Sequence, residues 1–128
     1  MEVVRRAWDH FVSTDEPAAE LLARDFVWDM SSFRGWPEQP SYEGVEGMYA
    51  FLRDWFEPFE DLEFVVEAHR DAGRDVVTVV RQHGRAKASG VPVELRYGVV
   101  TFVRNGLLAR AQVYAEPGEA LKAVGLEE

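Results

Sequence analysis

Cysteine is absent from the 128-residue chain, which excludes disulfides, thiolate metal sites and a cysteine nucleophile. Long hydrophobic runs are missing too. None approaches the ~20 residues of a membrane-spanning helix, and the N-terminus lacks the basic-then-apolar pattern of a secretory signal. A soluble cytoplasmic protein without a membrane partner is therefore expected. Histidine is scarce: His10, His69 and His83 are the three present, and none forms an HxH or HxxxH ligand pair. No metal and no cofactor are expected on that basis, and neither a phosphate-binding glycine loop nor a GxSxG elbow occurs. Basic residues are outnumbered, 14 Lys and Arg against 23 Asp and Glu, for a formal charge of −9. That balance disfavours nucleic acid as a partner.

Apolar residues, by contrast, make up 47% of the chain and aromatics 12%, enough for one folded domain over residues 1–128 with a substantial core. The charge is uneven. Residues 1–72 hold 17 acids and 6 Lys or Arg, whereas residues 73–128 hold 6 acids and 8 Lys or Arg. Surface pairing between helices and sheet accounts for such a split. The sharper alternative is that some of Arg81, Arg85, Arg96 and Arg110 line a site for an anionic or enolate-like ligand.

Val4, Ala7, Trp8, Phe11 and Val12 recur at helical spacing and predict an amphipathic helix over 2–13. Asp15-Glu16-Pro17 starts a second, short helix to about Ala23. A strand follows over 25–30. The segment from Ser31 to Tyr42, with Gly35, Pro37 and Pro40, reads as a long loop, and it carries Phe33 and Trp36. A third helix spans 44–57 and stops at Pro58. The period then changes from 3.6 to 2. Leu62, Phe64, Val66 and Ala68 alternate with Glu63, Glu67 and His69, which would leave His69 exposed, as would the pattern around His10. Strands over 75–86, 93–104 and 107–115 follow, the last two joined by Asn105-Gly106, a strong hairpin signal. Pro117 opens a terminal helix that ends at Gly125. Helices gathered at one end of a mostly antiparallel sheet define an α+β fold. With three N-terminal helices on the concave side, about five strands would enclose a conical pocket.

Val76-Val77-Thr78-Val79-Val80 runs directly into Arg81-Gln82-His83. Positions i and i+2 of a strand share a face, so Arg81 and His83 lie on the side of Val77 and Val79. If that side faces the hollow, the strand places a polar site at the bottom of an apolar cup.

This order of elements resembles the nuclear transport factor 2-like superfamily and, within it, the SnoaL-like polyketide cyclase and ketosteroid isomerase-like group. The resemblance rests on Phe26-Val27-Trp28-Asp29, Tyr42-Glu43-Gly44-Val45-Glu46-Gly47, Ser89-Gly90-Val91-Pro92-Val93-Glu94 and the ending Tyr114-Ala115-Glu116 into Glu119-Ala120-Leu121. It implies a cone-shaped α+β barrel and, in the family's usual manner, a homodimer through the outer sheet face, with Arg110, Gln112 and Tyr114 as contacts. Asp29 matches the base of ketosteroid isomerases, whose oxyanion-hole positions fall on Trp8 and Gly98. Arg81 matches the arginine of limonene-type epoxide hydrolases, whose two aspartates are replaced by His83 and a residue near Val113. His83 matches the histidine of SnoaL-type cyclases, whose aspartate would fall near Arg96-Tyr97-Gly98.

The resemblance thus implies a small-molecule protein without a cofactor that performs cyclisation, isomerisation or dehydration on an apolar or polyketide-like substrate. Asp29 and His83 would share acid–base roles and Arg81 would stabilise negative charge. Trp8, Phe33, Phe51, Trp55, Arg96, Gly98 and Val113 would contact the substrate. Two alternatives stand beside this. One is a ligand-binding or accessory protein using the same cavity without turnover; the other is an interaction module. Asp29 locked to Arg81 and a cavity filled by tryptophans would favour either of these over the enzyme.

Overall fold

The computed structural model describes residues 1–127. Its elements follow the chain as α1 (Glu2–Thr14), a single 3-10 turn (Ala19–Leu21), β1 (Leu22–Asp29), β2 (Ser41–Glu43), α2 (Gly44–Phe56), β3 (Phe59–Ala72), β4 (Asp75–Ala86), β5 (Pro92–Arg104), β6 (Leu107–Tyr114) and α3 (Pro117–Ala123). The strands form one sheet in the order β2-β1-β6-β5-β4-β3. Every neighbouring pair is antiparallel except β1 and β6, which run parallel. None of the described helices is long and apolar enough to cross a membrane.

Local chemistry accounts for most of these boundaries. α1 ends where Asp15 turns left-handed (φ 61°) and returns its N–H to Phe11. At the β5–β6 hairpin both Asn105 (φ 52°) and Gly106 (φ 75°) have positive φ, the conformation a two-residue type I′ turn demands. Two expectations need correction. The second predicted helix is only the 3-10 turn, so two N-terminal α-helices, not three, accompany the sheet. The stretch read as a loop contains β2, whose Tyr42 pairs with Trp28, making six strands instead of five. The sheet is mostly antiparallel, as expected, with the β1–β6 pair as its parallel member.

Strand parity divides the sheet into two unlike faces. Val76, Val80, Tyr97, Val99, Ala111 and Val113 join the main core with Val4 of α1 and Met48, Phe51, Leu52 and Trp55 of α2. On the opposite face Val77 packs with Ala120 and Leu121 of α3, flanked by Val100 and Tyr114. The order of layers is α1 and α2, then the sheet, then α3. Val76, Val77, Val79 and Val80 are all buried because both faces of β4 are covered.

Candidate functional site

A cavity lies between the α1–α2 layer and the sheet. Ala7, Trp8 and Phe11 of α1, Phe26 and Trp28 of β1, Met48, Phe51, Leu52 and Trp55 of α2, Phe64 of β3, Tyr97 and Thr101 of β5, and Leu108, Ala111 and Val113 of β6 line it, with Pro17, Ala18 and Leu22. The empty space between these side chains is about 740 Å³ when the part open to solvent is included. Its walls carry no Asp, Glu, Lys, Arg or His.

The polar groups in and behind this wall are few. Trp55 Nε1 donates to Gln82 Oε1 (2.9 Å), and the Tyr97 hydroxyl donates to the same oxygen (2.7 Å). Because an indole N–H can only donate, the Gln82 amide must turn its oxygen toward Trp55. Burial pushes the Tyr97 hydroxyl far above the ordinary tyrosine range, so it keeps its proton. Trp28 Nε1 is buried without an acceptor among the described residues. Aromatic packing closes one side. Phe33 meets Trp55 edge-on at 5.6 Å, and Trp36 lies 5.5 Å from Trp55 and 5.6 Å from Phe51. Tyr42 behind them bonds Asp54 Oδ2 at 2.8 Å; burial first, and that carboxylate second, push its hydroxyl up to about 12.

Of the residues singled out by sequence, Trp8, Phe51, Trp55 and Val113 line the cavity. Phe33 stands behind the lining, on Trp55 and Tyr97. The charged candidates do not converge there. Arg81 and His83 share a face with Val77 and Val79, as strand geometry requires, but that face is the outer one. Arg81 lies 3.3 Å from Glu67 and 3.5 Å from Glu94, while His83 Nε2 lies 3.6 Å from Glu63, with side chains 42% and 50% exposed. Arg96, opposite Arg81 in the β4–β5 register, also turns outward and bonds Glu67 at 2.8 Å. Gly98 lies beneath α3, where a Cβ would stand 2.6 Å from that of Ala120.

Asp29 is buried on the outer side of β1 (8% exposed). One carboxylate oxygen pairs with Arg110; the other accepts from the Ser31 N–H (2.8 Å) and hydroxyl (2.6 Å). Its cation is thus Arg110 and not Arg81. Gln112 beside it donates to Ser32 at 2.7 Å. These contacts fix the turn into residues 31–40 and leave Asp29 no free lone pair directed at the cavity.

His69 departs from the exposed position its alternation suggested. A bulge between Val66 and Ala68 shifts the β3–β4 register by one residue, and a one-residue shift exchanges faces. Glu67 turns outward and His69 turns toward the helices, half-buried, with Nδ1 2.9 Å from Thr78 Oγ1. Burial, then the Arg5 guanidinium, lower its pKa below the ordinary 6.5. The unfolded chain therefore binds the extra proton first, so stability is full above about pH 6.5 and falls as pH drops toward the lowered folded value. His69→Gln is expected to flatten this part of the stability-versus-pH curve, measured by urea denaturation between pH 7 and 5. An unchanged slope would exclude the assigned cause.

Trp28, Tyr97, Thr101 and Gln82 were not anticipated as site residues. For Tyr97 and Thr101 the signal was parity in β5, where Glu94 and Arg96 alternate with Leu95, Tyr97 and Val99.

An α-helical layer over one face of such a sheet, enclosing an apolar cavity, is the nuclear transport factor 2-like, ketosteroid isomerase-like fold. Within it the chain belongs to the SnoaL-like domain family, whose sequence profile matches residues 4–111. No curated protein matches the chain in sequence. Among solved structures, it is similar to a ketosteroid isomerase-like protein from Catenulispora acidiphila in complex with trimethylamine, at 18% identity and TM-score 0.72, over 98% of this chain and 93% of that one. TerC, co-crystallised with polyporic acid, is similar at 14% identity and TM-score 0.75, over 96% and 95% of the two chains. A candidate SnoaL-like polyketide cyclase from Jannaschia matches at 21% identity and TM-score 0.70, over 99% and 92%. At these identities the likeness is one of fold.

Proposed function

We propose that the protein binds an uncharged, largely apolar small molecule in the α1–α2–sheet cavity and holds it without acid–base turnover. The observation that carries this reading is the lining itself: eight of its side chains are aromatic and none has a carboxylate, imidazole, ammonium or guanidinium group. Transfer of apolar ligand surface from water into such a wall drives binding at roughly 25 cal/mol per Å² before the entropic cost of association. A charged ligand would lose its hydration there and gain no counter-ion. Proton transfer during catalysis needs a group of matched pKa within hydrogen-bond reach of the substrate. The former candidates Asp29 and His83 are engaged on the other face, by Arg110 and Ser31 and beside Glu63. Two proteins of this fold crystallised with small organic molecules accord with a ligand-holding role. For assembly we propose a homodimer through the outer face around Arg110, Gln112 and Tyr114.

Binding of 2-methylnaphthalene, followed by tryptophan fluorescence, tests the proposal. Ala111→Phe fills the cavity floor and is expected to abolish binding while the thermal midpoint holds or rises. Arg81→Ala combined with His83→Ala is expected to leave affinity within twofold. Loss of binding in that double variant, with Ala111→Phe still binding, would overturn the assignment.

A further inference from the structure

The register across the sheet brings three cavity-lining residues into one row. Ala111 of β6 stands opposite Trp28 on one side and opposite Thr101 on the other. Adjacent strands lie about 4.8 Å apart, so the outer two backbones of the row are roughly 10 Å apart. Between them Ala111 contributes only a methyl group, so the row forms a notch in the wall. Both flanking side chains are polar and more than nine-tenths buried: Trp28 is 8% exposed and Thr101 2%. Trp28 Nε1 has no acceptor among the described residues, although an unpaired buried donor typically destabilises a fold by about 1–3 kcal/mol. Most buried donors in native proteins are paired, and an exception has an explanation such as a bound water, an ion or a ligand. Thr101, in the same row, supplies a second group able to donate, its hydroxyl.

We propose that the notch over Ala111 seats a neutral oxygen acceptor, a ketone or ether oxygen, as the single polar anchor of an otherwise apolar ligand. This rests on the ligand-binding role proposed above and narrows the ligand's chemical class. Trp28 Nε1–H and the Thr101 hydroxyl both donate to that oxygen. The indole N–H is covered in this structure, so the Trp28 ring must turn about its Cβ as the ligand enters. A carboxylate is disfavoured in the notch, because no cation lines the cavity to compensate its desolvation.

The test compares 2-acetylnaphthalene with 2-isopropenylnaphthalene, which has nearly the same shape but lacks the oxygen. The ketone is expected to bind about tenfold more tightly, or about 1.4 kcal/mol. In a ¹⁵N-labelled sample it should move the Trp28 indole proton downfield, assigned by its loss in Trp28→Phe. Thr101→Val, which preserves shape, should reduce the ketone preference several-fold, and Trp28→Phe should remove it. Equal affinity for the two probes, or a preference untouched by Thr101→Val, would overturn the notch and leave the apolar cavity standing. Failure of both probes to bind would overturn the cavity assignment itself.

Discussion

Trp55→Ala is expected to destabilise the protein by about 3–5 kcal/mol, the range for deleting a buried tryptophan. The side chain is 6% exposed. It lies within 5.6 Å of the rings of Phe33, Trp36, Phe51 and Tyr97. Removing it leaves a void at the junction of α2, the sheet and the 31–40 segment, where all four rings lose a face or edge contact. It also takes one donor from Gln82 Oε1, which keeps only Tyr97. Trp8→Ala supplies the comparison. Trp8 is half-buried and has an edge-on contact with Phe11 at 6.0 Å, so its loss should destabilise by less than half as much. Urea denaturation of the two variants decides it. Equal effects would mean that Trp55 is no more central to the packed wall than a residue at the cavity's edge.

Gly98→Val is expected to destabilise by about 3 kcal/mol, at the upper end of ordinary overpacking. A Cβ at position 98 would meet Ala120 Cβ at 2.6 Å and Pro117 Cα at 3.2 Å. Neither atom can swing aside, since one is a methyl fixed to the helix and the other is backbone. α3 must lift from the sheet, exposing Val77 and Leu121. The variant should therefore lose protection of α3 amides in hydrogen exchange while the Asn105-Gly106 hairpin stays protected. Affinity for an apolar probe should fall much less than stability, because the cavity is on the far side of β5. A selective loss of binding with α3 intact would place Gly98 in a ligand site after all.

The strands after Pro58 were legible because their alternation and turn residues agree. β4 has the predicted bounds, Asp75–Ala86, and Asn105-Gly106 forms the expected turn. The inner face was harder to identify. In β4, Val76, Val80 and Gln82 look inward while Val77 and Val79 look toward α3, and a strand covered on both faces has no apolar alternation to reveal which is which. Arg81 and His83 therefore gave no sign of their face by themselves. Their cross-strand neighbours carried it: Glu63 and Glu94 flank His83 in the register, and Arg96 faces Arg81. A set of charges that neutralise one another across three strands marks a solvated surface. The pair expected for Asp29 was with Arg81; its partner is Arg110, reached through the parallel β1–β6 pairing, a contact 81 residues apart in sequence. The bulge that turns His69 inward has no glycine or proline to announce it.

A crystal structure of the complex with 2-acetylnaphthalene tests the central claim most directly. The probe is predicted to lie between α1, α2 and the sheet, against Trp8, Phe51 and Tyr97. Density for it on the outer face beside Arg81, His83 and Arg96, with the cavity unchanged, would contradict the account.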